Sequence, residues 1–317
     1  MGGPAVSVVI PVKNAGRFLD AQLASVFSQE GEGRPEVVVV DSGSIDDTLS
    51  IAARRGARVV RIRPEEFNHG ETRNLGAGES SGGLIVFLTQ DALPADGAWL
   101  RNLCAPLRGD PSVAGSFSRH IPRPGCPLPL ERQIVEEWPQ GGGLDRIVKR
   151  VGSRRELEER KPYFVYFANT SSCLRRSVWE RFPFRRVEFG EDADWAERVL
   201  LAGYAVVYEP SSAVIHSHDL SLREQLRQHY DYGRFVRAAR LAPPITVGRS
   251  AKTAAVSLRD DISYARRKGL PAARLLYSLP YHSACVLGRW LGEHSEALPA
   301  RLRAALSRQK KILDGAA

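Results

Sequence analysis

The sequence predicts an α/β protein in which a doubly wound, largely parallel sheet carries a helical appendage at its C-terminal end. Three observations lead there. Four short runs near the N-terminus are continuous in β-branched residues, helix-length segments separate them, and the last third is helical in pattern and basic. Continuous apolar runs mark strands buried on both faces, and strand–helix alternation lays such strands side by side in one sheet. Of the 317 residues, 43% are hydrophobic and 26% charged, proportions that exclude disordered, collagenous and disulfide-scaffold chains. The length suits one large domain with an appendage, or two domains, each with a proper core.

The predicted strands are Val6 to Val12, Glu36 to Gly43, Ala57 to Ile62 and Gly83 to Thr89. Ser44 is the expected N-cap of a helix running to Arg55, with Asp46 and Asp47 favouring its positive end. From Pro106 to Lys161 the text is irregular and rich in Gly and Pro, then charged over Ser153 to Arg160. It reads as a flexible loop or lid followed by an exposed helix. Order returns with YFVYFANTSSCLRRSVWERF, a short strand into a helix, and then FGEDADWAERVLLAGY. In that last segment Trp195, Val199 and Ala202 recur at helical spacing and Gly203 supplies the stop, which sets Glu191 and Asp192 in the first turn. Helices are expected from Leu222 to Arg240 and again beyond Ser250. The expected division is residues 1–220 for the α/β domain and 221–317 for a basic helical region.

The charge is unevenly placed. Residues 1–220 hold 27 Lys+Arg and 29 Asp+Glu, whereas residues 221–317 hold 18 and 7, so the whole net charge of +9 comes from the tail. Such a field attracts anions and says nothing of the fold. The four cysteines are far apart with no CxxC pair, which fits buried cytosolic thiols better than zinc or redox work. The first strand begins too early to leave room for a signal peptide, and the uncharged Leu275 to Gly288 stretch is short of the roughly 20 residues a membrane span needs. The expected location is the cytoplasm, either free or at the inner face of the plasma membrane.

In such sheets ligands bind beyond the carboxyl ends of the strands. Those ends are polar here: Lys13-Asn14 after the first, Asp41 at the second, Gln90-Asp91 after the fourth. Each aspartate alone is as well explained as a turn former; their coincidence at adjacent strand ends points to a site. Gly76-Ala77-Gly78 with Gly82 lacks the dinucleotide-binding spacing and precedes a strand, and there is no phosphate-binding P-loop. His216 and His218, two apart at a strand end, would point to opposite faces.

Taken in order, VVIPVKN, VVVDSGSIDDT, TRNLG, FLTQDALP, GEDADW and AVIHSH resemble the inverting family 2 glycosyltransferases of the GT-A fold, over roughly residues 6 to 235. FNHGETRN (Phe67 to Asn74) and TQDA (Thr89 to Ala92) most resemble bacterial rhamnosyltransferases that use dTDP-L-rhamnose. The resemblance implies that Asp41 accepts hydrogen bonds from the base or ribose, with Pro11 and Asn14 lining the pocket, and that Arg73 forks toward the base or diphosphate. It implies a magnesium or manganese site at the fourth strand end. The family's Asp-x-Asp reads Thr89-Gln90-Asp91, so Asp91 is the remaining carboxylate ligand, Gln90 is left to line the donor pocket, and His216 stands where related enzymes add a ligand. Asp192 is implied as the general base, and Glu191 as the residue that orients the acceptor or the helix start. Trp195, three residues after the base, is core at this spacing or else a platform for the acceptor sugar.

The Gln-x-x-Arg-Trp motif of processive synthases is missing, since Val286 stands at the glutamine position before Arg289-Trp290; transfer of one or a few sugars to a saccharide or lipid-linked acceptor is expected. A UDP-hexose or UDP-N-acetylhexosamine donor is the alternative within the fold. A nucleic-acid-binding tail is disfavoured, because Tyr264, Tyr277 and Tyr281 form no platform pattern. Arg266, Arg267, Lys268 and Arg274 ahead of the uncharged stretch suit either a peripheral membrane contact or a solvated helical face that forms a homo-oligomer.

Overall fold

The computed structural model describes residues 5–137, 143–218 and 220–308. Its first half alternates as the apolar runs require: β1 (Val6–Val12), α1 (Gly16–Phe27), β2 (Glu36–Asp41), α2 (Thr48–Arg55), β3 (Arg58–Arg61), α3 (His69–Gly78) and β4 (Leu84–Leu88). Then come β5 (Leu93–Pro94), α4 (Trp99–Gly109), β6 (Val113–Ile121), α5 (Leu128–Arg132), β7 (Ile147–Lys149), α6 (Arg154–Glu159), α7 (Lys161–Val165), β8 (Ser171–Arg175), α8 (Arg176–Arg181), α9 (Glu191–Leu201) and β9 (Ala205–Ile215). Helices α10 (Leu222–Ala238), α11 (Val247–Arg267), α12 (Ser278–Glu293) and α13 (Ala300–Leu306) complete the described chain.

The nine strands form one sheet in the order β3-β2-β1-β4-β8-β6-β9-β5, with β7 on β9. β3, β2, β1 and β4 are mutually parallel, and β8 runs antiparallel between β4 and β6. Because strand side chains alternate, each run divides between two cores. Val8, Ile10, Val12, Val37, Val39, Val86 and Leu88 pack with α1, α2 and α4 on one face. Val9, Val38, Val40, Ile85 and Phe87 pack on the other with Trp195 and Val199 of α9. Each fully buried side chain of this kind contributes roughly 1.5–3 kcal/mol, which keeps the strand ends rigid.

The stretch expected to be a loop or lid holds a central strand instead. β6 escapes a search for apolar runs because its buried positions include Ser116 and Ser118. Ser118 Oγ lies 2.7 Å from Ser171 Oγ and 2.8 Å from Ser212 Oγ. The Trp99 indole N–H donates to Ser171 at 2.9 Å and the Ser212 hydroxyl donates to the Trp99 carbonyl at 3.1 Å. With Ser171 donating to Ser118 and Ser118 to Ser212, each hydroxyl in this closed ring gives one bond and takes one, which is how such polarity survives burial. Gly115 beside it carries no side chain because a Cβ there would sit 2.9 Å from the Trp195 ring. Ser44 is another correction: α2 begins at Thr48 after Asp47, and the Ser44 hydroxyl accepts the Asn14 amide.

The chain divides into two compact units, Met1–Ile121 with Pro139–His216, and Pro122–Trp138 with Ser217–Ala317. The expected lid thus contributes α5 to the helical unit. There Arg132 of α5 is buried and donates to Asp261 at 2.5 Å, and Asp261 also meets His282 Nε2 at 2.8 Å. α10 and α12 touch backbone to backbone: a Cβ at Gly292 would fall 2.0 Å from the Tyr230 carbonyl, and one at Gly288 2.2 Å from that of Leu226. All four cysteines are buried thiols. Among the described residues no helix is long and apolar enough to cross a membrane.

The serine ring makes a measurable prediction. Ser118→Ala leaves Ser171 without its acceptor and Ser212 without its donor, so urea unfolding should show a loss of about 1–3 kcal/mol. A change inside about 0.5 kcal/mol, the ordinary range for an inconsequential surface substitution, would show the ring to be dispensable.

Candidate active site

The carboxyl ends of β1, β2 and β4 are tied together by short polar links. Asn14 follows β1 with a φ of 50°, a left-handed conformation that asparagine tolerates better than other side chains. Its Oδ1 accepts the Ile45 amide at 2.9 Å, and its own amide donates to Ser44 Oγ at 2.8 Å. Asp41 is fully buried, and its carboxylate accepts the amides of Gly43 and Ser44 at 3.1 Å each. The carboxylate thus builds the turn at the end of β2. Gln90 clamps β1 to the loop after β4, accepting the Lys13 amide at 2.7 Å and donating to the Lys13 carbonyl at 3.3 Å. Pro11 is half-buried within β1, opposite Val40.

The acid pair opens α9, entered through Gly190 at a φ of 80°. Glu191 is buried and forms a 3.0 Å ion pair with Arg73 of α3, which is buried as well. The same Arg73 nitrogen donates to the His69 carbonyl at 3.0 Å. In this arrangement Arg73 neutralises Glu191. Asn169, just before β8, donates through Nδ2 to Glu191 at 3.2 Å and through its amide to Asp192 at 3.4 Å, while Ser172 Oγ donates to Asn169 Oδ1 at 2.9 Å. Asp192 is half-buried and takes the Ala193 amide at 2.9 Å.

This setting separates the two carboxyl groups. Burial opposes the Glu191 charge, but the Arg73 cation, His69 and the Asn169 hydrogen bond together hold its pKa below the ordinary value. For Asp192, burial and the adjacent Glu191 charge push the pKa from 3.8 up to about 7, against the pull of Arg73 and two backbone amides. One carboxylate stays charged and one is poised near neutrality, the condition for a proton acceptor at physiological pH. Burial lowers the His69 pKa against the opposing Glu191 charge.

Asp91 and His216 approach each other at the far strand ends, Oδ2 to Nε2 at 3.5 Å, with His216 buried directly after β9. A carboxylate and an imidazole so placed form a donor set that suits a divalent ion of the manganese type. The Thr89 amide donates to the Thr170 carbonyl at 3.1 Å, joining the chain that leads to Asp91 with the residue after Asn169. Trp195 has no exposed surface; its ring packs on Phe167 and Phe184. It is core, and the acceptor-platform alternative is excluded by its burial. Sequence reasoning missed Asn169 and His69. The signal for Asn169 was the polar Asn169-Thr170 step between the aromatic YFVYF run and β8.

Parallel strands whose carboxyl ends gather polar turns, a carboxylate–imidazole pair and an acid pair at a helix start match the arrangement that the resemblance to GT-A glycosyltransferases implies. The model of the family "Glycosyl transferase family 2" matches residues 7–178, and the chain belongs to that family. It is 30% identical over 238 residues to the O-antigen chain rhamnosyltransferase WbaN of Salmonella anatum, covering 73% of this chain and 72% of that protein. It is 31% identical over 236 residues to the O-antigen chain rhamnosyltransferase RfbN of Salmonella typhimurium, with the same coverage. Among solved structures, the mannosyltransferase PcManGT from Pyrobaculum calidifontis, in complex with GDP-Man and Mn2+, superposes with a TM-score of 0.62 at 16% identity, over 93% of this chain and 89% of that one.

The perturbed acid pair predicts a pH profile and a stability effect. Transfer should fall on the acid side of pH about 7, and Arg73→Gln should move that limb to higher pH, because the arginine lowers the Asp192 pKa. Asp192→Asn should abolish transfer, general-base loss costing about a hundredfold or more, yet melt higher than the parent at pH 8. The sign follows from a folded pKa above the unfolded one: stability is lost as pH climbs between 3.8 and about 7, and asparagine has no such loss. An unshifted acid limb in Arg73→Gln would break the link between the ion pair and the base.

Proposed function

We propose that the protein transfers L-rhamnose from dTDP-L-rhamnose to a saccharide or lipid-linked acceptor, inverting the anomeric configuration, in cell-surface polysaccharide synthesis. The observation that carries the reaction type is the single half-buried Asp192 with its pKa raised beside a charged, immobilised Glu191. Asp192 takes the proton of the acceptor hydroxyl while that oxygen bonds to the anomeric carbon and the bond to the diphosphate oxygen breaks. The products are the glycoside and dTDP. A carboxylate is a modest base, so its position must be accurate; Asn169 and the Ala193 amide supply that. Glu191 keeps its charge through the Arg73 pair and so holds Asp192 ready to accept a proton. The donor assignment is supported by the two O-antigen rhamnosyltransferases at 30 and 31% identity.

Pro11, Asn14, the turn built by Asp41, and the Gln90 clamp form the rim on which the base and ribose would rest. Asp91 and His216 would hold a divalent cation, magnesium or manganese. When bound, that ion would neutralise the diphosphate and so favour its departure.

The donor is tested by turnover of dTDP-L-rhamnose against UDP-hexoses and UDP-N-acetylhexosamines, with NMR of the product's anomeric carbon and proton. The expected product is the α-L-rhamnoside from the β-linked donor. Retained configuration overturns the mechanism, and inverted transfer from UDP-sugars alone overturns only the donor. Asp91→Ala should weaken dTDP-sugar binding and abolish its dependence on manganese in calorimetry, whereas full activity of the parent in EDTA would remove the metal role of Asp91 and His216.

A further inference from the structure

The helical unit exposes two surfaces whose chemistry is complementary to one kind of partner. On α11, Arg249, Lys252, Val256, Arg259, Ser263 and Arg266 recur at alternating steps of three and four, and all six are exposed. That spacing puts them on one face, and from Arg249 to Arg266 the face runs roughly 25 Å at 1.5 Å per residue. Asp260, paired with Arg259 at 2.8 Å, is the acid beside it. A few residues beyond the end of α11, past exposed Lys268, Leu276 is 81% exposed and Leu279 57%. Along α12, Leu279, Ser283 and Leu287 recur every four residues and are all exposed.

The rest of the uncharged stretch is occupied differently. Tyr281, His282 and Cys285 are buried inside the unit, Arg267 pairs with Glu136 and Arg274 with Glu131, each at 2.8 Å. What remains outward is a short leucine ridge that follows a cationic helix face within a few residues of chain. Leucines of such exposure have no counterpart on a phosphodiester backbone, which is met by cations and stacked aromatics. Both features together match a bilayer with acidic headgroups, where basic side chains meet phosphates and a few apolar side chains enter the acyl boundary. The net charge of the tail, 18 cations against 7 acids, has the sign that surface requires.

We propose that the cationic face of α11 and the ridge of Leu276, Leu279 and Leu287 form a monotopic contact with an anionic lipid bilayer. This contact does not depend on the identity of the donor sugar.

The test is cosedimentation of the full chain with vesicles of phosphatidylcholine, alone or with phosphatidylglycerol at about one part in three. The parent should bind the anionic vesicles, release them at high salt, and ignore the neutral ones. Because two weak signals act together, Leu276→Ser with Leu279→Ser should lower binding about tenfold or more, and so should Arg249→Gln with Lys252→Gln and Arg266→Gln. All five positions are exposed, so circular dichroism and sugar transfer to a soluble acceptor should be unchanged. Failure of the parent to bind anionic vesicles overturns the proposal, as does equal binding by either variant. A dimer in light scattering that the leucine variant dissociates, without vesicle binding, assigns the ridge to a second copy. Retention by single-stranded DNA in place of vesicles assigns the tail to nucleic acid.

Discussion

A carboxylate removed from water needs a cation within reach, and in this protein Arg73 meets that need for Glu191. Breaking such a buried pair by removing one partner leaves the other charge uncompensated, at a cost of roughly 3–5 kcal/mol. The pair joins α3 to the start of α9 and so fixes where the chain after Gly190 must run. Asp192 is next in line, and its position follows from its neighbour's. Its electrostatics follow too. Burial and the ionised Glu191 one residue away both disfavour a second negative charge, and the proton affinity of Asp192 rises. One arginine thereby bears on both the geometry and the titration of the reacting group.

The sheet makes this possible by bringing distant segments to one edge. β4 and β8 run in opposite directions, so the last residue of β4, Leu88, pairs with the first of β8, Ser171. The loop leading to Gln90 and Asp91 therefore leaves the sheet beside the loop that delivers Asn169. Bonds through Lys13, Ser44 and Thr170 hold these loops at their bases. The polar groups meet at the rim, and the two apolar faces below it are closed by helices.

What the sequence made legible follows the same physics. β1, β2 and β4 are buried on both faces, so they appear as unbroken apolar runs, and a period-based reading finds them; β3, a half-exposed edge strand, shows itself only through Val59 and Val60. β6 is equally central but carries the serines of a hydrogen-bonded ring and a glycine that admits Trp195, so its text looks like a loop. Trp195 declared itself as core by spacing within α9. Asp91, His216 and the acid pair were found through motif resemblance, because their convergence depends on segments more than a hundred residues apart. Arg73 was recognised as important, but its ion pair with Glu191 was not foreseen. Whether an arginine faces a nucleotide or a glutamate is decided by tertiary packing, and nothing local in TRN encodes it. Asn169 lay hidden for the same reason.

The placement of β8 between β4 and β6 has a consequence for the birth of the molecule. Leu84–Leu88 are all buried in the finished sheet, but the strand that covers their outer edge lies about 80 residues later in the chain. At roughly 5–20 residues per second on the ribosome, that edge waits about 4–16 s for its neighbour. During this interval LIVFL is an apolar strand with an open row of amides and carbonyls, the form most prone to pair with another chain. Yield in a cell should then depend on trigger-type chaperones and on translation speed between β4 and β8 more than on the stability of the completed enzyme.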